Sequence, residues 1–135
     1  MALQLSVAVR NAMLDAIETT IGTSAVLKIR TGAPPASVAT ADSGTVLATL
    51  TLPSDWMAAA SGGSKAKSGT WEDASADAAG TAAHYRIYAS DGTTAHLQGT
   101  VTATGGGGDL TVDNTVFAAG QSFSVTSFSL TAANS

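Results

Sequence analysis

The chain has no cysteine among its 135 residues, which excludes disulfide staples and thiolate metal sites. The redox compartment is left open by that absence. Charge is scarce too: 12% of residues are Asp, Glu, Lys or Arg, and aromatics make up 5%. The six cations, Arg10, Lys28, Arg30, Lys65, Lys67 and Arg86, are scattered along a chain of formal charge −4. A basic face that tracks phosphates is therefore not expected, and neither is a nucleic-acid partner. No apolar run approaches the ~20 residues of a membrane span, so no membrane partner is expected. The first residues lack a basic region followed by a long apolar core, so no secretion signal is expected. What dominates instead is Ala, Gly, Ser and Thr. Such a chain packs with small side chains and presents a weakly charged, hydroxyl-rich surface, better suited to meeting other protein than to a lone soluble enzyme.

One stretch organises the rest. Residues 83–103, AHYRIYASDGTTAHLQGTVTA, alternate with period two on both sides of a Ser90-Asp91-Gly92 turn. This is the mark of a β-hairpin with one buried and one wet face. Ala83, Tyr85, Ile87 and Ala89 take one side of the first arm; His84, Arg86 and Tyr88 take the other. An odd loop with Gly92 at positive φ keeps the faces clean, pairing Tyr85 with Leu97, Ile87 with Ala95 and Arg86 with His96. His84, Arg86, Tyr88 and His96 are then expected on the wet face.

Residues 5–21 read as the one helix. Leu5, Val9, Ala12, Ala16 and Ile17 form a stripe, with Met13 and Ile21 beside it, and Gly22 is placed to cap its end. Propensity alone does not hold about four turns in water, so the stripe is expected to dock on the sheets. Residues 25–30 and 45–52 alternate as strands, separated by Pro34-Pro35 and a polar loop. Residues 56–80 are irregular, interrupted by Gly62-Gly63 and Gly69 and bracketed by Trp56 and Trp71. Two readings stand for this long loop: an excursion pinned by tryptophan burial, or an arm that lies on a neighbouring subunit. The four glycines 105–108 precede a strand-like Leu110-Thr111-Val112 rather than a helix, so they read as a flexible turn and not a phosphate cradle. In residues 122–131 the parity of Phe123 and Val125 differs from that of Phe128 and Leu130, which calls for a bulge near Thr126-Ser127 or a switch between sheets. With room for one domain, 1–135, and about seven short strands, the expected fold is mainly β. It is a β-sandwich, jelly-roll-like, over 25–131 with one N-terminal α-helix.

Reactive constellations are not found. His84 and His96 share a face with Arg86, a cation that repels metal, so no metal site is expected there. No Ser sits in a nucleophile-elbow setting, and Asp109 and Asp113 lack the oxygen-ligand spacing of a calcium loop. No enzyme activity and no cofactor is expected. The candidate protein-contact residues are Trp56, Lys65, Lys67, Trp71, Arg86 and Tyr88.

The helix together with LKIRTGAPP (27–35), SGTVLATLTL (43–52), HYRIYASDGTT (84–94), LQGTV (97–101) and AAGQSFSVTSFSLT (118–131) gives the chain its resemblance to small virion proteins of tailed bacteriophages. Within that group it is most similar to capsid cement, or decoration, proteins of jelly-roll type. That resemblance implies a position on the virion's capsid surface after synthesis in the host cytoplasm. It also implies self-association as a dimer or trimer, and the major capsid protein as partner. It carries over no catalytic residue. A phage tail, neck or fibre component, with glycan binding as one form of that role, is the alternative; an enzyme or a soluble carbohydrate-binding domain is a third reading.

Overall fold

A computed structural model describes residues 3–108 and 110–132; the Asp109 reading lies outside the described residues. Helix α1 (Val7–Ile21) starts at Ser6, whose hydroxyl accepts from the Val9 amide. It stops at Gly22, φ +95°, whose N–H donates to Glu18 O. Ten strands follow among the described residues: β1 (Val26–Arg30), β2 (Val46–Thr51), β3 (Ser64–Ala66), β4 (Glu72–Asp73), β5 (Gly80–Thr81), β6 (His84–Tyr88), β7 (Ala95–Ala103), β8 (Leu110–Val112), β9 (Val116–Phe117) and β10 (Phe123–Thr131). The main sheet runs β2-β1-β6-β7-β8-β10-β3, with β4 also on β10, while β5 and β9 form a separate ribbon.

The sheet curls until its ends meet. Asp73 on β4 accepts the Thr49 amide of β2, and the Asp77 N–H donates to Leu47 O at 2.7 Å. The result is a mainly β, sandwich-like fold with one helix, as the sequence predicts. Its core holds Leu27, Ile29, Leu50, Trp56, Trp71, Tyr85, Ile87, Leu110, Val112 and Phe128. Trp71 stacks obliquely on Trp56 and Phe128, and Tyr85 meets Phe128 edge-on. Two bulges break the alternation, one turning two successive residues inward on β2 and the other turning two outward on β10. Leu47 is the extra residue where Ile29 pairs with Ala48 and Arg30 with Val46, and it is fully buried. Thr126 is the extra residue of β10, where the sequence called for one: Phe123, Val125 and Phe128 are all buried.

Three expectations are corrected. The hairpin pairs Tyr85 with Gly99, Arg86 with Gln98 and Ile87 with Leu97, two residues from the expected register. Parity survives, because a shift of two preserves faces. The loop is longer than expected: the Ala89 amide donates to Thr94 O, and Asp91 accepts from the amides of Thr93 and Thr94. His96 is the bulged residue between the Ile87–Leu97 and Tyr88–Ala95 pairs, so it does not stand opposite Arg86. Second, the wet face is covered on its first arm, while His96 and Thr100 on the second arm stay exposed. His84, Arg86 and Tyr88 are buried, because residues 31–45 fold across them.

Third, residues 56–80 are not one loop. Gly62 and Gly63, φ +61° and +80°, make the two-residue turn of a hairpin in which Ser61 and Ser64 exchange backbone hydrogen bonds. β3 and β4 then pair with successive parts of β10. The glycine run 105–108 is likewise a close-packed return. Cβ atoms on Gly106 and Gly108 would come within 2.8 and 2.9 Å of the Thr102 side chain. That clearance lets the chain double back and enter β8 parallel to β7. No helix among the described residues is long and apolar enough to cross a membrane.

Candidate functional site

Two surface features stand out from the fold. The first is helix α1, which docks in an unexpected orientation. Only Leu14 and Ile21 are buried along its length. Beside them Ile17 packs half-buried against the core, and the rest of the inward face is polar: Asn11, Asp15 and Glu18 accept the backbone amides of Gly63, Ala60 and Met57. The Lys65 ammonium, on β3, sits 2.7 Å from Asp15 and 2.9 Å from Glu18 with its side chain almost fully enclosed. Burial opposes the charge on Lys65, but hydrogen bonds to both carboxylates outweigh it and raise its pKa. The bond from Lys65, then that from the Ala60 amide, hold the Asp15 carboxyl below its usual range.

The stripe expected to enter the core is therefore turned largely outward. Val9 and Met13 are 46% and 50% exposed, Ala12 and Ala16 are exposed, and Leu5 and Ile17 are half-buried. Of the five large apolar side chains exposed among the described residues, Leu3, Val7, Val9, Met13 and Val116, four lie in residues 3–13. A shallow hollow beside the stripe is lined by Met13, Ala16, Ile17, Thr20, Ile21 and His96.

The second feature is the strap, residues 31–45, laid over β1, β6 and β7. Its one carboxylate, Asp42, is gripped through both oxygens. Oδ1 accepts from Arg86 Nη1 at 2.7 Å and from the Tyr88 hydroxyl at 2.8 Å. Oδ2 accepts from Arg30 Nη2 at 2.9 Å. Arg86 also donates to the carbonyls of Ser37 and Thr40 and to Gln98 Oε1, while Gln98 Nε2 donates to Pro35 O. His84 Nδ1 lies 2.7 Å from Gly32 O. Burial works against an ionised Asp42. The bonds from Tyr88 and Arg86, and the charges of Arg30 and Arg86, outweigh it and hold the carboxyl below its usual range. Burial, then the bond to Asp42, pushes the Tyr88 phenol up.

Of the six expected contact residues, the structure brings Arg86 and Tyr88 together beneath the strap, and Trp56 and Trp71 together in the core. Lys65 lies under the helix. These five are buried in the chain, so they shape the surface from beneath; Lys67 alone keeps partial exposure, its ammonium near Trp71 and bonded to Gly69 O. Sequence reasoning missed Asp42, the anchor of the strap, and it missed the outward turn of the helix. The signal for the second was present: Asn11, Asp15 and Glu18 lie within one sector at helical spacing. Among the described residues no cluster of three His, Asp or Glu side chains could hold a metal ion. Comparison with protein-family models, with curated proteins and with solved structures returns no match.

Proposed function

We propose that this protein is a virion structural protein of tailed bacteriophages that cements the major capsid protein shell from outside, and that α1 makes the contact. One observation supports the reading. The helix is fastened to its own chain by polar groups and offers water an uncharged stripe of Val9, Ala12, Met13 and Ala16. Covering apolar surface is worth roughly 25 cal/mol per Å², so an uncharged apolar patch on the shell is the complementary occupant. Lipid is a poorer one. The helix carries a single cation, Arg10, and the chain is formally −4, the reverse of the basic flank that anionic headgroups attract. Each contact need only be modest, because copies crowded on one shell raise their effective concentration.

The test adds purified protein to shells lacking it. The protein sediments with intact shells and raises their rupture temperature, while Met13→Glu and Ala16→Glu abolish both effects without lowering the melting temperature of the free protein. Protein that ignores shells and is recovered only on tails makes it a tail, neck or fibre component and ends the cement reading. Variants that bind shells normally but lose self-association show that the stripe joins copies of this chain and not the shell.

A further inference from the structure

Three of the chain's six Lys and Arg side chains share one face of the sheet. Lys28 lies opposite Arg86 across the β1–β6 pair, Arg30 lies opposite His84 one row on, and Gln98 continues the first row on β7. Against these cations the strap sets one carboxylate. The two guanidinium side chains are 8% and 2% exposed, yet the Asp42 side chain they hold is 39% exposed. It fills the mouth of the site, and the donors form its walls. One donor is left over: Arg30 Nε is buried without a hydrogen-bond partner.

The strap itself is weakly held by backbone. Its ends are tied where the Thr31 amide donates to Thr45 O and the Thr45 amide to Thr31 Oγ1; inside it, the Thr40 amide donates to Ser37 O. No part of it joins a sheet; the side chains of Arg30, Arg86, Tyr88 and Gln98 hold the middle down, and Arg30 and His84 also meet the carbonyls of Gly44 and Gly32 near its ends. Gly32 and Gly44, φ +77° and +74°, stand one residue inside its two ends, and Gly44 packs closely on the Thr31 carbonyl.

From this geometry we infer that Arg30, Arg86 and Tyr88 form a carboxylate receptor that Asp42 occupies in cis, and that an acidic side chain of a partner protein can take its place as the strap swings out. The recognition chemistry is that of two guanidinium groups and a phenol converging on one carboxylate, with both its oxygens bonded. Exchange replaces one carboxylate by another, so the two buried cations are never left unpaired, and the barrier is the opening of an unladdered segment. The exposed flank of Asp42 is where an incoming carboxylate first meets the site.

The receptor half is tested by chemical rescue. Asp42→Ala lowers the melting temperature, and sodium acetate recovers about half of the loss or more relative to sodium chloride of equal ionic strength. Wild type shows no such gain, and Asp42→Ala with Arg86→Gln shows none. Equal melting in acetate and chloride overturns the receptor. The handover half uses the unmodified protein. A hexa-aspartate peptide raises hydrogen exchange at the Thr40 amide by about threefold or more, while amides of β1 and β6 are unchanged. A hexa-serine peptide does nothing. If Thr40 exchange is indifferent to the acidic peptide, the strap is a fixed part of the fold and the handover is wrong; this measurement stands even should Asp42→Ala fail to fold.

Discussion

At Gly92 the turn needs φ +71°, and a Cβ added there would meet nothing closer than Val26 Cγ2 at 4.0 Å. The cost of a side chain is therefore one of backbone conformation alone. Gly92→Val should destabilise by about 1–2 kcal/mol in denaturant unfolding, and Gly92→Asn by clearly less, since Asn tolerates the left-handed region. His84 carries a second residue-scale expectation. Its Nδ1 faces a carbonyl, so that nitrogen bears the proton, and the buried Nε2 without a partner is the bare one. Nitrogen chemical shifts should report the Nδ1–H tautomer. Gly92 was legible from Asp91-Gly92 beside alternating residues, which is local information. The surroundings of His84 and Arg86 were not, because Gly32, Ser37, Thr40 and Asp42 approach them from 44 to 52 residues away. A polar residue on an alternating strand reads as wet unless the cover is known.

Elements differ in how far their patterns could mislead. The hairpin's parity was right because a period of two leaves only two choices, and a shift of two residues along the strands does not alter them. For α1 the apolar stripe was real but lay mostly outward, with Ile17 and the flanking Ile21 meeting the core, since hydrophobic periodicity records a face without recording what covers it. The consequence is testable by comparing two positions. Leu14→Ala, at a site 3% exposed, should cost about 2–5 kcal/mol, whereas Ile17→Ala, at the half-buried margin of the stripe, should cost clearly less. Equal losses would mean that the stripe is the packed face after all. The hairpin of residues 57–67 is equally part of the body of the protein, and removing residues 62–69 would take Lys65 and β3 with it. Lys65→Met should lower the melting temperature and raise hydrogen exchange at Gly63, Ala60 and Met57, because Asp15 and Glu18 lose their shared cation.

For the molecule as a whole, the ionisable anchors define a pH window. Asp15, Asp42 and Asp91 have lowered pKa values in the fold, so their contribution is complete above the unfolded value of 3.8 and is lost as pH falls through their folded values. Lys65 and Tyr88 are raised from 10.5 and 10.0, so theirs is complete below those values and lost as pH rises through the folded ones. Melting temperature should be flat with respect to these groups between about pH 5 and 9 and fall on both sides; Asp42→Asn should flatten part of the acid limb. The β10 strand carries a consequence of another kind. It pairs with β8, β3 and β4, and its Phe128 supports Trp71 and Tyr85. During synthesis, every apolar residue that waits for this strand stays uncovered until residues 123–131 have left the ribosome. A nascent chain stalled before that point should be cut readily by protease and held by chaperones. The β10 pairings with β3 and β4 join distant parts of the chain, so their formation should be slower than that of the local β6–β7 hairpin.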